Sequence, residues 1–302
     1  MVPTTTPPPI AARPSAAPAD TPPHVPAVTP AQTARARALA DLFGTLGPVL
    51  IGFSGGVDST YLATVALDAL GPAAVLAVIG RSPSVPAAQL ESARALAAQL
   101  GLPLHEVDTQ ELDDPRYAAN PTNRCYHCKA ELWSRLAPIA RARGMTLVDG
   151  TNADDLADHR PGARAAAEYG VRSPLAECEL GKADIRALSA ARGLPTWQQP
   201  SAPCLASRLP YGTAVTPARL AQVERAELAL RQLGVAGDLR VRYHGDLARV
   251  ELAPDALDQW LARDRRAALA AAVRGAGFAR VAIDLRGFRS GSLNVLGGVR
   301  DE

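Results

Sequence analysis

One stretch, Gly52-Phe53-Ser54-Gly55-Gly56-Val57-Asp58-Ser59-Thr60, constrains this chain more than any other. It follows an apolar run at 48–51 and precedes an apolar-periodic segment at 61–70, an order that reads strand, glycine turn, helix. Two adjacent glycines let the backbone come close to an anion and aim its N–H groups inward. The helix that begins there adds the positive end of its dipole. Ser54, Ser59 and Thr60 supply hydroxyls, and Asp58 supplies a carboxylate at the helix start. Such a loop cradles pyrophosphate. It is not a Walker A loop, which needs a lysine after the second glycine.

From 49 to about 200, strand and helix signals alternate. Strands are expected at 49–53, 74–79, 104–107 and 146–149, and helices at 59–70, 87–100, 130–143 and 184–192, with a leading helix over 31–43. This alternation predicts an α/β fold with a doubly wound parallel sheet, whose ligands sit at the carboxyl ends of the strands. After 216 the pattern changes to a helix at 217–233, two strands at 239–243 and 247–252 around the turn His244-Gly245-Asp246, one helix at 256–276 and a strand at 280–285. That is a smaller α+β domain. Residues 1–30 hold ten of the 26 prolines and few large apolar residues, so they read as a disordered tail. The expected organisation is a tail at 1–30, a nucleotide domain at 31–205 and a C-terminal substrate-binding domain at 206–302.

A net charge of +2 gives no strong field for nucleic acid or anionic lipid. No apolar run approaches the roughly 20 residues of a membrane span, and the tail lacks the basic and apolar regions of a secretory signal. Four cysteines do not make a disulfide framework in 302 residues, so the expectation is a cytoplasmic protein. The 30 arginines stand against two lysines, Lys129 and Lys182. Arginine replaces lysine easily on a solvated surface and poorly where a compact ammonium is needed, which makes both lysines candidate functional positions.

Cys125-Tyr126-His127-Cys128-Lys129 is a C-x₂-C pair expected in a turn before a helix, and Cys204 lies in Pro203-Cys204-Leu205-Ala206-Ser207-Arg208. Three readings are open: a redox dithiol, a zinc site with His127 in awkward spacing, and a cluster held by Cys125, Cys128 and Cys204. Cys178 reads as a small buried residue. Asp149-Gly150-Thr151-Asn152-Ala153-Asp154-Asp155 follows a predicted strand. It is either a turn and N-cap cluster or a place for ribose or Mg²⁺, with Asn152 and Asp154 as ligand candidates. Lys182 opens a helix and could meet a phosphate. Arg208, Arg240, Arg242, Arg249, Arg286 and Arg289 are candidate anion clamps.

The loop around Ser54–Thr60 resembles that of the PP-loop ATP pyrophosphatases, which split ATP into AMP and pyrophosphate. The motifs SGGVDST, NRCYHCK (123–129), DGTNADD, RPGARAA (160–166), SPLAE (173–177), KADIR, PCLASR, RVRYHGDLARVEL (240–252) and GFRSGSLN (287–294) occur in this order. Together they resemble the ATP-dependent pyridinium-3,5-biscarboxylic acid mononucleotide sulfurtransferases of the LarE type, over roughly residues 33–298. The resemblance implies ATP and Mg²⁺, with Ser54, Gly55, Gly56, Asp58, Ser59 and Thr60 at the pyrophosphate and Asp58 and Lys182 in catalysis. It implies sulfur transfer at Cys204 to an adenylylated carboxylate. The sulfur comes either from a [4Fe-4S] cluster on Cys125, Cys128 and Cys204, the version the C-x₂-C pair favours, or from Cys204 itself, which then becomes dehydroalanine. It further implies a pyridinium mononucleotide held by Ser207, Arg208, Arg242, Arg249 and Arg289, with Glu224 and Glu251 as metal or substrate contacts, in a homo-hexamer. Competing expectations are a tRNA 2-thiolating enzyme of the same superfamily, against which the absence of a basic stripe and of zinc-ribbon cysteines argues, an ammonia-using relative of NAD synthetase, and a non-catalytic metal-binding module.

Overall fold

The computed structural model describes residues 27–156, 161–200 and 202–289. Most of the proline-rich tail, Arg160 and residues 290–294 of the last motif lie outside them. The first helix, α1 (Pro30–Leu46), starts one residue earlier than expected because Thr29 closes a capping box with Gln32 and Pro30 takes the first helical position. Strand β1 (Val49–Gly52) leads through the glycine turn into α2 (Val57–Leu70), then β2 (Val75–Arg81), α3 (Ala87–Gln99) and β3 (Leu104–Asp108) follow. A short α4 (Pro115–Ala118) precedes the long α5 (Arg124–Arg143) and β4 (Thr146–Val148). The strands pair in parallel in the order β3-β2-β1-β4.

This order follows from right-handed crossovers. The chain steps from β1 to β2 to β3 with α2 and α3 on one face, then returns past β1 to β4 with α5 on the other. Alternation along β1 serves both faces: Val49 and Ile51 pack with α1, α2 and α3, while Leu50 packs with Trp133 and Leu136 of α5. Gly52 is required where Trp133 crosses β1, since a Cβ there would lie 2.7 Å from the indole ring. The topology reverses between β1 and β4, so the loop after β1 sits at the switch point, where such sheets bind ligands. Helices α6 (Pro161–Glu168), α7 (Pro174–Glu177) and α8 (Lys182–Ala191) complete the layers.

A second core gathers around α9 (Pro217–Gln232) and a three-stranded sheet. In that sheet β5 (Leu239–His244) and β6 (Leu247–Leu252) are antiparallel, and β7 (Arg280–Ile283) runs parallel to β6. Two expectations need correction. The C-x₂-C pair is inside a helix and not in a turn before one, because α5 begins at Arg124 and not at 130. Its inward face carries Arg124 and Cys128 before Trp133, Leu136 and Ala140, so the apolar period that marks a helix starts late. The single helix expected at 256–276 is two, α10 (Leu257–Leu261) and α11 (Arg263–Gly275), broken at Ala262 with ψ 143°. The break lets Trp260 and Leu269 reach one core, and it places the charged residues 263–266 in a first turn. Among the described residues no helix is long and apolar enough to cross a membrane.

Candidate active site

The loop after β1 is built as its sequence requires. Gly55 has φ +72°, and a Cβ there would also lie 2.7 Å from that of Ala93, so no other residue fits. Ser54 and Ser59 share a hydrogen bond of 3.1 Å between hydroxyls, and Ser59 donates to the Gly56 carbonyl at 3.2 Å. The first intrahelical bond is Thr60 N–H to Gly56 O, so the amides of 57–59 have no partner within the helix. Thr60 is fully buried, and its hydroxyl oxygen has no hydrogen-bond partner. Gly150, just after β4, packs against the start of α2: a Cβ there would meet Ser59 N at 3.1 Å.

Asp58 and Lys182 meet across this loop, with Nζ 2.5 Å from Oδ2, while Oδ1 of Asp58 is enclosed without a hydrogen-bond partner. Lys182 is placed by its own backbone, whose N–H donates to Asp154 at 2.7 Å. Asn152 is buried and accepts from the N–H groups of Asp154 and Asp155. Its side chain thus does the work of the turn and N-cap reading. The orphaned Oδ1 of Asp58 and the nearby Asp154 are hard oxygen donors of the kind Mg²⁺ takes, usually one or two carboxylates shared with substrate phosphates.

A cavity opens at the carboxyl ends of β1, β2 and β3, lined by Ser54 of the loop together with Glu111, Cys128, Lys129 and Cys204. Cys204 therefore shares a cavity with the glycine loop from 150 residues away in sequence. Burial, with Cys204 and Glu111 close by, pushes the Cys128 thiol up to about 12. Cys125 is exposed, and all four cysteines are free thiols. Among the described residues, no three cysteine, histidine or carboxylate side chains stand close enough together to share a metal ion. Cys128 and Cys204 share the cavity, and Cys125 does not line it, so the three thiols are not assembled into a ligand set. Cys178 is half-buried against the core beside α1 and α2, apart from them.

Three of the six arginines expected as open anion clamps, Arg208, Arg242 and Arg249, are engaged with carboxylates. Arg208 makes a two-point pair with Glu227 at 2.9 and 3.0 Å and also donates to the carbonyls of Pro203 and Cys204. Ser207 donates to the Cys204 carbonyl through both N–H and hydroxyl. Arg242 binds Glu251 and the Ser207 carbonyl, and Arg249 binds Glu251 and Asp284. Ser207, Arg208 and Arg242 thus fix the short 3-10 helix Leu205–Arg208 and the cysteine before it. Buried Arg240 stacks on Phe288, and burial, with Arg208 beside it, lowers its pKa to about 10. Arg286 is near Asp284 at 3.8 Å, and Arg289 ends the described chain. Glu224, expected as a metal or substrate contact, accepts from Ala87 N–H at 2.6 Å and so caps α3. Glu251 is fully buried between two guanidiniums. Glu251→Ala is expected to destabilise the protein by about 3–5 kcal/mol in urea unfolding, since it strands buried positive charge. A loss below about 1 kcal/mol would show that solvent reaches these arginines.

Sequence reasoning did not single out Ser84, Glu111, Tyr117, Asn120 or Glu227. Ser84 accepts the Leu205 N–H at its carbonyl and bonds Tyr117 OH at 2.7 Å in the interior. Only long-range packing makes these positions special.

A parallel sheet whose first strand turns through serine and glycine into a helix N-terminus at the switch point is that of the PP-loop, adenine-nucleotide α-hydrolase-like proteins, and residues 44–151 match the family model described as NAD synthase. The chain is 38% identical over 247 residues to pyridinium-3,5-bisthiocarboxylic acid mononucleotide synthase of Lactiplantibacillus plantarum, covering 82% of this chain and 88% of that protein. It belongs to the family of that synthase. An uncharacterized protein of Synechocystis is 46% identical over 257 residues, covering 85% of this chain and 95% of its own length. Likeness to the glutamine-dependent NAD(+) synthetase of Aquifex aeolicus covers 21% of this chain and 11% of that protein.

Proposed function

We propose that this protein uses ATP to adenylylate a carboxylate of pyridinium-3,5-biscarboxylic acid mononucleotide and then replaces the activated oxygen by sulfur, a step toward the nickel-pincer cofactor. The observation that carries this reading is that Cys204 and Ser54 line one cavity. Sulfur and nucleotide chemistry therefore share one space. A relative in the family is named for the corresponding bisthiocarboxylic product.

The chemistry follows from the residues. A carboxylate is a poor acceptor for sulfur because hydroxide leaves badly. Attack of its oxygen on the α-phosphorus expels pyrophosphate and converts the leaving group to AMP. The amides opening α2, with Ser54, Ser59 and Thr60, hold the pyrophosphate. Lys182 offsets its charge, and Mg²⁺ on Asp58 would add a Lewis acid there. Sulfur at Cys204 then forms a bond to the acyl carbon as the C–O bond breaks and AMP departs. In one route the sulfur is that of Cys204: its Cβ–S bond breaks as the Cα proton is lost, leaving dehydroalanine. In the favoured route Cys125, Cys128 and Cys204 would hold a [4Fe-4S] cluster, which supplies a renewable sulfide. The donor type fits in part: the free thiols of Cys128 and Cys204 line the cavity beside the glycine loop, and Cys125 is exposed one helical turn before Cys128.

The test is anaerobic, on iron- and sulfide-reconstituted protein given ATP, Mg²⁺ and the pyridinium dicarboxylate mononucleotide, with product per chain and intact mass recorded together. An unchanged mass with many turnovers on added sulfide is the expected result. Loss of the mass of H₂S with turnover ending near one sulfur per chain assigns the sulfur to Cys204. Formation of neither pyrophosphate nor thiocarboxylate is the result that would end this proposal, and steeply salt-dependent tRNA binding would redirect it to RNA.

A further inference from the structure

Two carboxylates are buried among the described residues, Glu251 and Glu111. Glu251 lies between the guanidiniums of Arg242 and Arg249. Glu111 is 3% exposed, its Oε2 is enclosed without a hydrogen-bond partner, and no described residue forms an ion pair with it. A charge buried without a counter-ion works against folding. The fold nevertheless holds it in place. Glu111 opens the 3-10 turn Glu111–Asp113 after β3, and its carbonyl accepts from Asp114 N–H at 3.2 Å. The residue before it is pinned from α5: Gln110 N–H donates to Glu131 at 3.0 Å, and Arg135 donates to the Gln110 side chain at 2.7 Å. Local conflicts kept in so fixed a setting belong to functional sites.

The cavity names the missing partner. Glu111 lines the same space as Ser54 and Cys204, and Lys129 lines it too. These are the only two charged side chains among the described residues that line it, and no ion pair joins them. Val78, Ile79 and Leu132 supply apolar wall, which suits the face of a flat ring. The phosphates of a nucleotide have the wrong sign for Glu111. Adenine is neutral and would leave the carboxylate uncompensated. Mg²⁺ surrounds itself with six oxygens, and no second carboxylate lines the cavity among the described residues. A cationic ring edged with carboxylates matches both charges, its ring to Glu111 and a carboxylate to Lys129. The substrate proposed above is such a ring. Its nitrogen carries positive charge, and its two carboxylates stand on other edges. One edge can therefore face Glu111 while another presents the reacting carboxylate to Cys204.

We propose that Glu111 is the counter-ion of the pyridinium ring, a substrate-binding residue that selects a cationic ring over a neutral one of the same shape. The proposal rests on the reading of the substrate as a pyridinium dicarboxylate. Binding that ring gives Glu111 the partner that the chain itself does not supply. The attraction is strong because the wall around it excludes water, and it falls short of the full Coulomb value because both ions give up hydration. The contact is made to the ring nitrogen and not to the reacting carboxylate. It therefore serves affinity and selection more than the rate of a substrate already bound.

The test is calorimetric binding, to the anaerobic full chain, of N-methylpyridinium-3,5-dicarboxylate and of 5-methylisophthalate, its isostere with an uncharged ring. Wild type should bind the pyridinium at least about tenfold more tightly, the scale of one partly desolvated charge pair. Glu111→Gln should cut that preference to within about twofold, by weakening the pyridinium and not the isostere. In the same variant the dissociation constant for ATP should move less than about twofold, and the urea midpoint should stay level or rise, since a buried unpaired charge is gone. Glu111→Asp keeps the charge on a shorter arm and should retain a preference of about threefold or more. A wild-type preference below about twofold overturns the proposal without any variant, as does a preference that Glu111→Gln leaves unchanged. A loss of ATP affinity of about tenfold in Glu111→Gln also overturns it, by assigning the carboxylate to the nucleotide. An effect that appears only with Mg²⁺ overturns it by assigning the carboxylate to the metal. A Glu111-dependent preference in a protein that forms no thiocarboxylate counts against the proposed function and leaves the cation subsite standing. Thiocarboxylate formation without that preference does the reverse.

Discussion

Cys204→Ala is expected to release pyrophosphate from ATP and the pyridinium dicarboxylate at a rate within about threefold of wild type, while thiocarboxylate formation falls by at least about 1,000-fold, some 4 kcal/mol of lost transition-state stabilisation. The two steps separate because different parts of residue 204 serve fold and chemistry. Its carbonyl accepts from Ser207 N–H, the Ser207 hydroxyl and Arg208, and the next amide, of Leu205, donates to Ser84 O. None of these bonds uses the thiol, so alanine keeps the loop in place. The glycine loop and the Asp58–Lys182 pair belong to other elements and are left alone. What is removed is the sulfur in the cavity shared with Ser54. The same experiment on Cys125→Ala divides the routes. A donor that is Cys204 itself still yields one sulfur per chain in that variant, whereas a three-thiolate cluster loses a ligand and its product with it. Thiocarboxylate above a few per cent of wild type in Cys204→Ala would remove the residue from the mechanism.

The parts legible in the sequence are those in which neighbours along the chain cause the structure. Continuous apolar runs gave β1 and β2 because both faces of that sheet are covered. The glycine loop was legible because Gly55 and the serines act on their own backbone within six residues. Cys204 was recognisable only through the motif around it, since no local pattern says that residues 128 and 204 line one cavity. The hydrogen bonds from Asn120 to the Pro210 carbonyl and from Arg124 to the Ala206 carbonyl were invisible for the same reason. With 30 arginines in the chain, composition could not tell a phosphate clamp from a structural ion pair. Arg208 and Arg242 were picked as substrate contacts, and the carboxylates that hold them come from α9 and β6. The late apolar period of α5 hid its first turn, because an inward-facing arginine and cysteine do not look like core.

Asp58→Ala is expected to lower the rate constant for pyrophosphate release by about 1,000-fold or more, the scale of losing a charge partner at a phosphoryl-transfer site, while the dissociation constant for ATP moves less than tenfold. The split follows from the position of Asp58. It is the second residue of α2, beside the amides that receive the phosphates. A carboxylate there repels a polyphosphate, so it does not serve ground-state affinity. It holds Lys182 at 2.5 Å through Oδ2 and leaves Oδ1 enclosed without a partner. Both features suit a group that places cations where charge develops on the departing pyrophosphate. Alanine leaves the amides and hydroxyls of the loop intact, so ATP still binds, but it frees the lysine and removes the oxygen donor. Asp58→Asn separates the two tasks. Its amide oxygen can still accept from Lys182, but its lost charge should raise the Mg²⁺ concentration needed for half-maximal rate. The measurement is single-turnover pyrophosphate release over a Mg²⁺ series, with ATP affinity taken from equilibrium binding. A rate within tenfold of wild type in Asp58→Ala, at saturating Mg²⁺, would reduce the Asp58–Lys182 pair to a structural contact.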